Sequence, residues 1–263
     1  MSLTGLRETF DRRGTKYGSG VMEFATPGIG HILKQGGCDF AFIDMEHSGL
    51  GIDTIKQVMR YMEAADLPAF VRPPSDQYHD IARLLDIGVE GILLPMVADA
   101  EQARHIVACM KYPPHGERGV AMGHGGDRWR AVSQRQGQLA ANRRTVPIML
   151  IETVEGVDNV DEIAKVKGVD VLWIGHSDLS ASLGIPGDFD NPLFRDAVAK
   201  VVAAAKRHKL HLGRLTRSIE EGRQLKNQGF NLICYSADDS LLRAAIKSGI
   251  DAIRKGGRGG RGN

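Results

Sequence analysis

Short apolar runs rich in Val, Ile and Phe alternate along the chain with longer stretches in which apolar residues recur every three or four positions. That alternation is the signature of repeated βα units and a parallel sheet. Candidate strands cover 18–24, 38–44, 69–72, 91–95, a weak one near Gly119, 147–152, 169–175, 211–215 and 230–236. Eight or nine strands are enough to close a barrel. Helical patterns lie between them, at 52–65, 80–87, 98–110 and 192–208. Several open on acidic or capping residues and close on glycine, as at Gly88 after Asp86-Ile87 and Gly229 after Asn227-Gln228. No linker interrupts the series, so the expected architecture is a single-domain (β/α)8 barrel over 1–253, followed by a disordered Gly/Arg tail at 254–263. One segment breaks the rhythm. Residues 116–145 are polar and rich in Gly and Arg, and are expected to carry a lid or a subunit contact.

In such a barrel, polar residues just past the C-terminal ends of the strands share one mouth, where catalysis is found. That register selects Asp44, Glu46 and His47 after FAFID, Arg72 after AFV, Glu152 after IMLI, and His176-Ser177-Asp178 after VLWIG. Glu152 and Asp178 end consecutive strands. With no thiol or imidazole cluster beside them, the pair suits a hard, oxygen-seeking cation such as Mg²⁺ or Mn²⁺, against the plainer reading that each caps a helix. Arg72, stiffened by Pro73 and Pro74, suits an oxyanion that develops during a reaction, against the plainer reading of a surface ion pair. His47 is a candidate general base, with Asp44 and Asp86 as the carboxylates available to orient it. Every lysine falls in a predicted helix, loop or tail, which argues against a Schiff-base mechanism.

Composition narrows this only slightly. The 263 residues carry a net charge of +2, with 42% hydrophobic and 25% charged residues, so nothing global favours nucleic acid or a membrane surface. Cys38, Cys109 and Cys234 are odd in number and scattered, as reduced core thiols would be. The N-terminal stretch lacks the apolar region of a signal peptide, and the expected location is cytoplasmic.

IDMEH (43–47), VRP (71–73), LLDIG (84–88), GILLPMV (91–97), KYPP with GERGV (111–114, 116–120), IET (151–153) and DLSASLG (178–184) stand in order along the chain. Together they closely resemble the HpcH/HpaI aldolase family, from about Leu6 to Ile253. The resemblance implies a modified (β/α)8 barrel whose last helix exchanges between subunits of a homo-oligomer, commonly a hexamer built as a trimer of dimers. It implies a class II aldolase acting on 4-hydroxy-2-oxo acids, with a divalent metal (Mg²⁺, Mn²⁺ or Co²⁺) at Glu152 and Asp178, and small 2-oxo acids and aldehydes as partners. By the same resemblance Arg72 stabilises a pyruvate enolate, His47 moves protons with support from Asp86, and backbone N–H groups near Ser177 and Asp178 bind the substrate carboxylate.

Departures fall inside the site. His176 stands where many members have proline, and Leu150 where many have glutamine. The segments 122–130 and Arg214-Leu215-Thr216-Arg217 also differ, and both are expected at the aldehyde end. They leave the substrate open. An oxaloacetate decarboxylase, or a related 2-oxo acid or acyl-CoA lyase, is the competing enzyme reading; a non-catalytic binding barrel is opposed by the intact Glu152, Asp178, Arg72 and His47.

Overall fold

The apolar runs become strands wherever both faces can be buried, which is what an all-parallel sheet demands. In the computed structural model, which describes residues 3–256, eight parallel strands close in sequential order. They are β1 (Lys16–Val21), β2 (Phe40–Asp44), β3 (Ala69–Arg72), β4 (Gly91–Leu94), β5 (Val146–Ile151), β6 (Val171–Ile174), β7 (His211–Thr216) and β8 (Leu232–Ala237). The helices are α1 (Leu6–Asp11), α2 (Ile29–Gln35), α3 (Ile52–Ala64), α4 (Tyr78–Asp86), α5 (Ala100–Met110), α6 (Gln134–Arg144), α7 (Val154–Asp158), α8 (Val160–Lys165), α9 (His176–Ser182), α10 (Pro192–His208), α11 (Ile219–Asn227) and α12 (Asp238–Gly256). Closure comes from β1 pairing with β8, where Lys16 lies opposite Leu232 and Gly18 opposite Cys234.

Two apolar cores result. One fills the shell between strands and helices. The other fills the barrel itself, with Phe42 stacked on Phe70 at 5.3 Å between centroids and Phe70 edge-on to Trp173 at 5.3 Å. Leu6 and Phe10 of α1 plug the lower end, and the Leu6 N–H donates to Glu90 Oε2 at 2.7 Å. Space inside is fully used: a Cβ at Gly213 would sit 2.0 Å from the Trp173 ring.

The weak strand expected near Gly119 does not form. β4 pairs directly with β5, and the Gly119 N–H goes to the Tyr78 hydroxyl at 2.7 Å. Nor does 116–145 cover the mouth. A short 3₁₀ turn at Gly125–Asp127 lies against the backbone of Leu85 to Ile87, and Arg128 reaches Glu90 at 3.0 Å, which places this part of the segment at the end where the strands begin.

The tail boundary also moves. Helix α12 continues through residues 254–256, where Arg254 and Lys255 suit the negative end of its dipole; the remainder of the expected tail, 257–263, lies outside the described residues. Beyond its contacts with β1 and β8, α12 carries Leu242, Ile246, Ile250 and Ile253 as an exposed apolar stripe. No helix among the described residues is long and apolar enough to cross a membrane.

Replacing Gly213 by Ala should force the Trp173 ring to move and cost about 1–3 kcal/mol of unfolding free energy. Urea denaturation followed by tryptophan fluorescence measures this; an unchanged midpoint would show that the ring has room to yield.

Candidate active site

Strand ends β2, β3, β5, β6, β7 and β8 surround a mouth of about 470 Å³. Asp44 and Arg72 are register partners on adjacent strands, so their side chains leave the sheet together. Arg72 Nε donates to Asp44 Oδ1 at 2.8 Å, its Nη2 to Asp44 Oδ2, and its Nη1 lies 2.8 Å from Glu46 Oε2. Asp44 is fully buried. Burial works against the Arg72 charge, yet the hydrogen bond and charge of Asp44, with Glu46 and Glu152, outweigh it and raise the guanidinium above its usual pKa. This is not a surface ion pair. It is a fixed cation with N–H groups still to offer.

Asp44 was expected to orient His47, and the structure corrects that: its oxygens are taken by Arg72 and by the Glu46 N–H at 3.0 Å. The His47 side chain, 59% exposed at the rim, instead has Glu46 as its nearby carboxylate, at 3.7 Å. Asp86 is likewise not brought to His47 within this chain. It ends α4, a helix running away from the mouth, and its carboxylate takes Arg118 Nη2 at 2.6 Å. The direction of a βα unit decides this, since a helix starts at the strands' C-terminal end and finishes at the other.

Glu152 and Asp178 do meet at the mouth. Glu152 Oε1 accepts the Met96 N–H at 2.8 Å, while Oε2 lies over Gly175, where a Cβ would come within 2.2 Å of it. Only glycine allows that approach. Met96 holds a left-handed φ of 56°, a strained conformation for a residue with a Cβ and one that the sequence gives no sign of. The helix-cap alternative is not realised for either carboxylate. Thr153 caps α7, and α9 has no side-chain cap, leaving the Asp178 carboxylate without a hydrogen-bond partner among the described residues. Burial, reinforced by Asp178 and Glu46, pushes Glu152 up to about 7 against the pull of the Met96 N–H and Arg72. Among the described residues no three His, Cys, Asp or Glu side chains gather into a metal-holding group, so at most two such side chains would meet a cation there.

His176, Ser177 and Leu215 line the same cavity, and Leu150 forms part of its apolar floor with Trp173. His176 is 8% exposed and packs edge-on against Phe189 at 5.3 Å. Burial, with help from Arg214 and Arg217, lowers it to about 4, so the imidazole is neutral at pH 7. The strand-end rule extended to β7 and β8 also yields Arg217, expected at the aldehyde end as part of 214–217, and Ser236, Asp239 and Ser240, which the sequence reading left without a role, as lining residues.

Two opposed pH effects follow. Glu152, raised from 4.5, keeps in the fold a proton that the unfolded chain has lost, so its contribution falls as pH rises from about 4.5 to about 7. His176, lowered from 6.5, refuses in the fold a proton that the unfolded chain takes, so stability falls as pH drops from about 6.5 to about 4. In chelator-treated protein Glu152→Gln should therefore leave stability rising with pH across the lower window, and His176→Asn should leave it falling across the upper one, each by about 2–3 kcal/mol. Urea titrations at a series of pH values read these slopes; identical slopes in both variants would contradict the assignment.

Known proteins with the same pattern fit this geometry. The model of the HpcH/HpaI aldolase/citrate lyase family matches residues 23–245. The chain is 32% identical over 231 residues to 5-keto-4-deoxy-D-glucarate aldolase of Klebsiella pneumoniae, covering 88% of this chain and 90% of that one. The corresponding protein of Citrobacter koseri is 34% identical over 232 residues, covering 88% and 89%. Among solved structures, an HpcH/HpaI aldolase from Desulfitobacterium hafniense superposes with a TM-score of 0.91 at 28% identity, covering 95% of this chain and 97% of that one. By family model, sequence and fold alike, the chain belongs to the HpcH/HpaI aldolase/citrate lyase family.

Proposed function

We propose that this class II aldolase cleaves or forms 4-hydroxy-2-oxo acids through a pyruvate enolate, with a divalent cation at Glu152 and Asp178. The observation that carries the reading is two carboxylates not spent on capping, in one cavity with a guanidinium whose position is fixed. The donor set fits a hard cation. Both groups offer oxygen, Asp178 has no competing donor among the described residues, and the mouth leaves room for substrate and water oxygens to complete a shell. Bound there, Mg²⁺, Mn²⁺ or Co²⁺ would act as a Lewis acid toward the 2-oxo carbonyl.

The remaining work falls to the chain's own groups. Arg72 has five N–H donors and spends three on Asp44 and Glu46, which leaves two for the developing enolate oxygen. Because both carboxylates hold it before substrate arrives, little reorganisation accompanies the charge that forms. Asp44 is a positioning residue for Arg72. At the start of α9 the N–H groups of His176, Ser177 and Asp178 have no intrahelical acceptor and suit the substrate carboxylate. His47, at the rim beside Glu46, would assist removal of the 4-hydroxyl proton. Loss of that proton forms the aldehyde carbonyl as the C3–C4 bond breaks; its electron pair becomes the enolate, and protonation at C3 gives the 2-oxo acid. No lysine lines the mouth among the described residues, in keeping with an enolate rather than a Schiff base. Buried Lys111 is spent on Thr145 and Asn142 beside the start of β5. The substrate for which the relatives are named supports a sugar-acid derivative as the physiological compound.

We propose further that the chain assembles as a homo-oligomer, a hexamer made as a trimer of dimers, in which α12 lies on a neighbouring subunit. The exposed stripe of Leu242, Ile246, Ile250 and Ile253 supports this. Within one chain Asp86 ends a helix that runs away from the mouth and is held by Arg118.

Chelator-stripped enzyme should lose exchange of the pyruvate methyl protons in D₂O and regain it with Mn²⁺, Mg²⁺ or Co²⁺, and Glu152→Gln should lower it by about 100-fold or more. Exchange that persists without metal, or in Glu152→Gln, overturns the reading. Ile246→Asp should yield smaller species in sedimentation velocity; an unchanged sedimentation coefficient counts against α12 as the contact.

A further inference from the structure

Charge in the mouth is unevenly distributed around the ring of strands. Strands β2, β3, β5 and β6 contribute Asp44, Glu46, Arg72, Glu152 and Asp178, and the one guanidinium among them is already engaged by two carboxylates. On the β7–β8 arc stands a second guanidinium, Arg217, just past the last residue of β7 and lining the same cavity. It makes no ion pair among the described residues. Arg214, three positions earlier, is no rival: it is buried, pairs with Glu221 at 2.7 Å and lies 5.4 Å from the centroid of the Phe194 ring, outside the mouth.

The turn that carries Arg217 is built to hold its place. The Glu221 carboxylate accepts from Arg214 Nη2 at 2.7 Å, from Thr216 Oγ1 at 2.6 Å and from the Arg217 N–H at 3.3 Å. Ser218 caps α11 immediately afterwards, its Oγ accepting the Glu221 N–H at 3.1 Å. One carboxylate thus fixes three points of the strand end, at Arg214, Thr216 and the Arg217 backbone, the kind of support that keeps a binding group in position. The Arg217 side chain remains exposed at the rim.

The cavity, about 470 Å³, lies in the range of small-molecule sites, roughly 300–1,000 Å³, and is larger than a three-carbon 2-oxo acid requires. Whatever is joined to that head must occupy the rest. Past β6, on the β7–β8 side and at the start of α9, the same lining offers Leu215, His176, the hydroxyls of Ser236 and Ser240, and one carboxylate, Asp239, whose Oδ2 accepts from Ser240 at 3.3 Å. One guanidinium matches the single charge and paired oxygens of a carboxylate, whereas the second charge of a phosphate dianion would go unpaired in a lining that already holds Asp239.

We propose that Arg217 determines specificity for the aldehyde half, selecting aldehydes that end in a carboxylate and binding that group through charge-assisted hydrogen bonds. This rests on the enolate reading above. With pyruvate as donor, 4-oxobutanoate and its methyl ester differ only in that charge. The enzyme should favour the acid in kcat/KM, and Arg217→Ala should reduce the acid-to-ester ratio on the order of 10- to 100-fold, mainly through KM for the acid. Arg217→Lys should recover part of the ratio, since it keeps the charge and loses the fork. Circular dichroism melting checks that both variants fold. An acid-to-ester ratio unchanged in folded Arg217→Ala overturns the assignment, as does a preference of the unmodified enzyme for a phosphorylated aldehyde over the acid. Failure of the unmodified enzyme to exchange pyruvate protons overturns the enolate reading itself, a separate result measured without any aldehyde.

Discussion

Hydrogen bonding between β8 and β1 turns an open sheet into a ring, and the mouth exists because of that closure. Residues far apart in sequence, such as Asp44, Glu152 and Asp239, share one cavity only when their strands stand around a common axis. Closure also fixes the interior volume, which Phe42, Phe70, Trp173 and the α1 plug fill completely. Gly213 and Gly175 are concessions to the resulting crowding, one to an indole ring and the other to a carboxylate.

Within the ring the electrostatics are dominated by too many carboxylates for one guanidinium. Asp44 and Glu46 saturate one side of Arg72, and Glu152 is left with a single backbone donor and a like charge nearby. Its raised pKa and an Asp178 carboxylate with no hydrogen-bond partner among the described residues are two expressions of one deficit of positive charge. The neutral, buried His176 sits at the boundary between this acidic sector and the cationic arc of β7.

The opposite end of the barrel is structural. Glu90 gathers the Leu6 N–H, Arg128 and Arg144, tying the plug and the segment 116–145 to the start of β4. The long polar stretch is thereby spent in part on sealing the lower face. Helix α12 stands apart, with its apolar stripe turned to solvent.

The alternation of short apolar runs and helical periods sufficed for the barrel, because parallel strands buried on both faces must be apolar, and the strand-end rule then located Arg72, Glu152, His176, Ser177 and Asp178. Composition and spacing also set the Schiff-base route aside, since no lysine ends a strand. Partnership was a different matter. Whether Asp44 would serve His47 or Arg72 depends on the inter-strand register, which no local pattern encodes. Asp86 read as a helper because its motif is close to the next strand, yet helix direction puts it at the far end. The left-handed Met96 that feeds its N–H to Glu152, and the Glu221 carboxylate that anchors Arg217, are likewise products of tertiary packing. Local sequence sets which residues leave the sheet at the mouth; only the closed barrel decides which of them meet, because hydrogen bonds and ion pairs act over a few ångströms between strands that are distant along the chain.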